Sequence, residues 1–225
     1  MSVTHIGIIR EGKIPPDFRV PLSPAQCVQL EKVYPNVKVT VQASPIRCFA
    51  DEAYTAIGID VQEDLSHCDI LLGVKEVPMA QLIAGKTYLF FSHTFKKQPY
   101  NRALLQAILH KRIRLIDYEV LKDAQNKRII GFGRYAGVVG AYNAFLTYGL
   151  KSGAYSIKPA HLCADRKEVE AELKKWCCHL TLNWCLLATD ALAMAPEKLS
   201  NCYPSKKWTQ MSIFTNNTKK LFLHT

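Results

Sequence analysis

The residues best suited to chemistry in this chain stand at the ends of short apolar runs. Lys75 and Glu76 follow DILLGV, His93 follows TYLFFS, and Asp117 and Glu119 close IRLIDYE. Arg10 and Glu11 end the first such run, and Arg19 follows in the loop REGKIPPDFRVPLSP. Together these groups could hold a carboxylate and move protons on and off an amine. A guanidinium grips a carboxylate bidentately. A histidine titrates near neutrality, and a lysine at a desolvated strand end is pushed toward it. Taken singly, each has a plainer reading: a satisfied structural histidine, a solvated lysine, a weak Arg19–Asp17 surface ion pair. Only the set points to a site.

The elements that would position this set can be read from pattern. Residues 4–10, 37–42, 69–74, 87–92 and 113–118 are short β-branched or apolar runs, expected as buried strands. Between them lie helical stretches. Ser23 and Pro24 open one over 25–33, residues 99–110 carry Leu104, Leu105 and Ile108 at helical spacing, 137–150 is apolar, and 166–175 is charged and amphipathic. Alternating strands and helices imply an α/β fold, Rossmann-like or flavodoxin-like, with a mainly parallel sheet and helices on both faces. Such sheets bind ligands beyond the carboxyl ends of their strands, where the residues above stand. The expected organisation is a substrate-binding domain over 1–150, a connection over 151–175 that includes 155–164, and an irregular tail over 176–225.

Composition removes other classes. With 225 residues, 48% hydrophobic and 21% charged, the chain is globular. No uncharged apolar run reaches the ~18–20 residues of a membrane helix, and the N-terminus resembles neither a secretory nor a transit segment. A cytoplasmic protein with no membrane partner is expected, its eight cysteines present as thiols. A formal charge of +10 admits anionic partners, but the charge is spread along the chain without a nucleic-acid-binding motif, so no nucleic acid is expected. Cys177-Cys178-His179 and Cys185 lack the paired spacing of a zinc site, and no metal is expected. Gly131-Phe132-Gly133-Arg134-Tyr135-Ala136 matches G-x-G-x-x-G/A. The window that should hold the second strand and its acid reads KSGAYSIKPA, which has neither, so tight helix packing through Gly137 and Gly140 is expected instead.

In order and wording, these motifs resemble the alanine dehydrogenase/transhydrogenase N-terminal domain family over roughly residues 4–150. The saccharopine dehydrogenase branch (NAD-dependent, lysine-forming) and the related domain of bifunctional aminoadipate semialdehyde synthase are the more similar part of it. REGKIPPDFRVPLSP resembles the opening loop whose arginine, Arg19 here, helps bind substrate. LLGVKEVP resembles G-x-K-E-x-P with its catalytic lysine, Lys75 here. FFSHTFKKQ resembles F-x-H-x-x-K-x-Q with its acid–base histidine, His93 here. LIDYEVLKD followed by KRIIGFGRYAGVVG is similar to the saccharopine branch and maps its acidic residue to Glu119. The resemblance implies oxidation of saccharopine by NAD, with lysine and 2-oxoglutarate released. An alanine-dehydrogenase-like domain and a non-catalytic amino-acid-binding module are the competing readings, and the oligomeric state is not legible.

The family continues into an NAD-binding Rossmann domain, which needs a glycine-rich turn against the pyrophosphate. All 11 glycines of this chain lie at or before Gly153, while Trp176, Trp184 and Trp208 and four of the eight cysteines follow residue 175. The tail therefore reads as a displaced reading frame beginning shortly before or at Trp176, with the cofactor site absent and activity lost. Ala188, Asp190, Ala193 and Ala195 have codons beginning with G, which the displaced frame makes middle bases at the spacing G-x-G-x-x-G-x-G. The nucleotide sequence around codon 175 should read, in that frame, as an apolar strand followed by this glycine turn. A stop codon there removes the explanation.

Overall fold

The computed structural model describes residues 2–175. The displaced-frame reading concerns 176–225 and lies outside the described residues. Contacts divide the chain into one unit over Met1–Gly131 and a second from Phe132 onward. Residue 150, the boundary expected from sequence, falls inside a helix of the second unit.

In the first unit, β1 (Thr4–Ile8), β2 (Val37–Gln42), β3 (Asp60–Gln62), β4 (Ile70–Leu72), β5 (Thr87–Phe90) and β6 (Arg114–Asp117) form one sheet in the order β3-β2-β1-β4-β5-β6. Every pairing is parallel. Register and alternation divide the side chains between two faces. Gly7, Leu71 and Tyr88 pair across β1, β4 and β5, and Leu71, Tyr88 and Phe90 pack with Leu104 and Ile108 of α3 (Arg102–His110). On the other face Ile8, Val39 and Val41 pack with Cys27 of α1 (Pro24–Val33) and Tyr54 of α2 (Asp51–Thr55). The sheet is thus covered by helices on both sides, as the alternating pattern implied.

Differences from the sequence expectation are local. β1 stops at Ile8 because the Arg10 amide donates to the Gln42 side chain instead of the ladder. The stretch over 99–110 opens as a 3₁₀ turn, Pro99–Asn101, before α3. β3 and α2 are additional. β3 is three residues long with one half-buried side chain, and α2 is five residues long, so neither carries a readable period.

The second unit contains α4 (Gly133–Ser152), a 3₁₀ turn (Ala160–Leu162) and α5 (Arg166–Lys174). Tyr142 of α4 packs with Tyr155, Ile157 and Val169, so the stretch expected as a connection supplies core residues. The close packing expected at Gly140 is not found among the described residues, where a Cβ would meet open space. It occurs at Gly149, where a Cβ would lie 2.6 Å from the Tyr155 carbonyl oxygen. Among the described residues no helix is long and apolar enough to cross a membrane. Cys27, Cys48, Cys68 and Cys163 are free thiols.

Leu71 is fully buried in the strand next to β1. Leu71→Ala should cost about 2–5 kcal/mol in urea unfolding, whereas Leu109→Ala, at a side chain 67% exposed, should change stability by less than about 0.5 kcal/mol.

Candidate functional site

Chain order reverses between β1 and β4: the chain passes from β1 to β2 and β3 on one side, then returns to β4 on the other. At this switch point Glu11, just past β1, spans the two strand ends. Its Oε1 accepts from the Val74 amide at 2.7 Å and its Oε2 from the Lys75 amide at 2.8 Å. Burial pushes the Glu11 carboxyl up, and Asp17 adds to this, while the two amides and Arg19 pull the other way. Gly73 lets Ile9 pack against this loop, because a Cβ there would meet Ile9 Cδ1 at 2.8 Å. Lys75 is therefore fixed through its backbone. Its half-buried ammonium makes no direct hydrogen bond or ion pair among the described residues, and its charge acts on Asp17.

A similar arrangement joins β5 to β6. Asp117 pairs with Phe90 in the ladder, and its carboxylate reaches beyond the end of β5. Oδ2 accepts from the Ser92 amide at 3.0 Å, the Ser92 hydroxyl at 2.5 Å and the His93 amide at 3.0 Å. Oδ1 accepts from the Glu119 amide at 2.8 Å. His93 takes a left-handed conformation, φ 56°, which costs about 1–2 kcal/mol for a residue with a Cβ. Hydrogen bonds to an ionised group contribute about 1.5–3 kcal/mol each, so the carboxylate prevails.

The side chains then form a line of interleaved charges. Lys13 Nζ lies 2.5 Å from Glu76 Oε2, and Glu76 Oε1 lies 3.8 Å from His93 Nε2. His93 Nδ1 lies 2.8 Å from Glu119 Oε2. Lys96 Nζ is 3.1 Å from both His93 Nδ1 and Glu119 Oε2, and Arg128 Nη1 is 3.4 Å from Glu119 Oε1. An ammonium only donates and a carboxylate only accepts. The shorter contact assigns the proton on Nδ1 to Glu119, and Nε2 is turned toward Glu76. Phe91 stacks on the imidazole at 6.5 Å between centroids. Burial pushes Glu119 up, but hydrogen bonds from Lys96 and His93 and the charges of Lys96 and Arg128 hold it below the ordinary carboxyl value. Glu76 is likewise held low, with Lys13 and His93 outweighing burial.

Lys75, His93 and Glu119 thus stand at three strand ends on one rim, linked through Glu76 and Asp117. Arg19 joins the rim at its exposed edge. Its Nε lies 2.8 Å from Asp17 Oδ1 and its Nη2 2.5 Å from Asp17 Oδ2. The hydrogen bond from Arg19 holds the Asp17 carboxyl low. Arg10 turns away toward β3, paired with Glu63 at 2.6 Å. Residue types at strand ends did not reveal the roles of Glu11 and Asp117 as acceptors for loop amides, nor those of Lys13, Lys96 and Arg128. An acid at the last position of an apolar strand, two residues before another acid, was the available signal. Among the described residues no group of three or more His, Cys, Asp or Glu side chains could hold a metal ion. Nor does the turn after β1 carry the dinucleotide fingerprint: it holds a single glycine, Gly12, followed by Pro15 and Pro16. The G-x-G segment at α4 follows an isolated bridge, Lys122 with Arg128, not a strand of the sheet.

The family described as alanine dehydrogenase/PNT, N-terminal domain, matches residues 7–139. The chain belongs to this family. The match falls within the 4–150 stretch whose motifs resembled it. Similar proteins include the mitochondrial alpha-aminoadipic semialdehyde synthase of Rattus norvegicus, 41% identical over 133 residues, which are 59% of this chain and 14% of that protein. The Arabidopsis thaliana alpha-aminoadipic semialdehyde synthase is 36% identical over 139 residues, 60% of this chain and 13% of that protein. Saccharopine dehydrogenase [NAD(+), L-lysine-forming] of Yarrowia lipolytica is 28% identical over 109 residues, 46% of this chain and 30% of that protein. The chain therefore corresponds to a minor part of each relative's length. The solved transhydrogenase from Sinorhizobium meliloti shares the fold, with a TM-score of 0.51 at 15% identity over 64% of this chain and 44% of that one.

Carboxyls held low in the folded state contribute stability above their unfolded values and lose it as pH falls through the folded ones. Asp17, Glu76 and Glu119 act in this sense, and Glu11, held high, acts in the opposite one. The urea midpoint should fall as pH drops below about 4. Glu119→Gln should be less stable at pH 7 and should show a smaller fall. An acid dependence identical to that of the unaltered chain would mean that the cations around Glu119 add nothing.

Proposed function

We propose that the first unit binds the amino acid substrate of an NAD-dependent oxidoreductase acting on a CH–NH bond. The substrate in this reading is saccharopine, with lysine and 2-oxoglutarate as products. Its support is the juxtaposition of Lys75 and His93 at neighbouring strand ends, each backbone held by a carboxylate, in a chain similar to saccharopine dehydrogenases. His93 Nε2 accepts the proton of the secondary amine, with its charge supported through Nδ1 by Glu119. Lys75 serves as the second proton carrier when water adds to the oxidised carbon. Arg19 grips a substrate carboxylate at the rim, in competition with Asp17. When bound, NAD would take the hydride from the substrate carbon, while these residues hold the amino acid and carry its protons.

Calorimetric titration of the whole chain tests the reading. Saccharopine should bind more tightly than alanine, and Arg19→Met should weaken it at least about tenfold, the loss expected for a charge-assisted hydrogen bond. Preference for alanine would favour an alanine-dehydrogenase-like domain. Binding of saccharopine that ignores Arg19→Met, or no binding of any amino acid, would overturn the assignment.

A further inference from the structure

Asp117 is 5% exposed, and all four donors it faces are loop groups of β5 and β6. One oxygen takes the His93 amide and the other the Glu119 amide, so both members of the imidazole–carboxylate pair hang from a single carboxylate. Their side chains meet at 2.8 Å on the far side of it. The contact has a competitor. Lys96 lies 3.1 Å from both partners, and an ammonium free to choose would draw Glu119 to itself and release the imidazole. With both backbones fixed by Asp117, the two side chains start from positions that put Nδ1 and Oε2 within reach of each other, which favours their contact over the one to Lys96.

We propose that Asp117 is the positioning residue of the site, acting through His93 and Glu119 and never on substrate. It keeps Nδ1 on Glu119 and turns Nε2 toward Glu76, against the pull of Lys96 and with Phe91 stacked on the ring. The proposal rests on the reading of His93 as an acid–base group. The role of Asp117 is nevertheless visible without substrate.

The test is ¹⁵N nuclear magnetic resonance of the whole chain, with the His93 ring assigned by comparison with His93→Gln. Asp117→Asn keeps the shape but replaces one acceptor oxygen by an amino group, so one of the two amides loses its partner. The ring nitrogens of His93 should move from a fixed Nδ1–H pattern toward the averaged pattern of a free imidazole. Amide exchange at His93 or Glu119 should accelerate at least about tenfold, while the amides of Leu71 and Tyr88 stay protected. A folded variant with the ring resonances of the unaltered chain would overturn the proposal. Should Asp117→Asn fail to fold, Ser92→Ala removes one donor and leaves the carboxylate, and a smaller displacement in the same direction is expected. Unchanged ring resonances in that variant would overturn it equally. Failure of the unaltered chain to bind saccharopine would count against the substrate reading alone and would leave these resonances where they are.

Discussion

Carboxylates that accept hydrogen bonds from loop amides across neighbouring strand ends are the constraint on which this site depends. A parallel ladder pairs the backbone only while strands run side by side, and past their last residues the amides need other acceptors. Glu11 supplies two oxygens to the loop after β4, and Asp117 supplies two to the segments after β5 and β6. A carboxylate moved out of water is costly unless its lone pairs are filled. Here the loops fill them, so each group stabilises the other. Lys75 and His93 gain fixed positions while their own side chains stay out of the anchoring.

The same division of labour shows in the charges. The chain carries a formal charge of +10, yet the rim interleaves signs: Lys13 beside Glu76, Lys96 and Arg128 around Glu119, and the His93 imidazole between the two carboxylates. Interleaving keeps Glu76 and Glu119 ionised near neutrality, because the surrounding cations outweigh burial. Glu11 departs from the pattern. Burial and the neighbouring Asp17 raise its carboxyl, although two amides and Arg19 oppose the shift. Its position at the centre of the sheet, between β1 and β4, explains why desolvation comes first among the causes.

Much of this was legible in residue order. The 37–42 run became β2 without change, and the helix after Ser23 began where the serine and proline indicated. The acid–base candidates were found from their position at strand ends, since the sheet exposes only the residues past its last buried one. Less legible was anything set by a partner distant in sequence. Asp117 and Glu119 read as equivalent acids closing one run, and only the fold separates them, burying Asp117 under the loop of β5 and leaving Glu119 beside His93. Arg10 and Arg19 likewise read alike, but Arg10 pairs with Glu63 beyond β3 while Arg19 stays on the rim. Gly140 and Gly149 differ for the same reason, because the Tyr155 that Gly149 accommodates arrives from beyond the helix.

The strand order by itself suggests a ligand class without deciding it. A sheet ordered 3-2-1-4-5-6 offers its switch point to dinucleotides, whose pyrophosphate uses the free amides of the first turn. In this chain the turn after β1 holds a single glycine, Gly12, and its Glu11 accepts from the amides of Val74 and Lys75 after β4. Gly73 lets Ile9 pass close to that loop, since a Cβ there would lie 2.8 Å from Ile9 Cδ1. The internal anion thus takes two loop amides at the switch point and, by the same bonds, holds the Lys75 backbone there. One topology serves many chemistries, so the residues at its strand ends, and not the strand order, decide what it does.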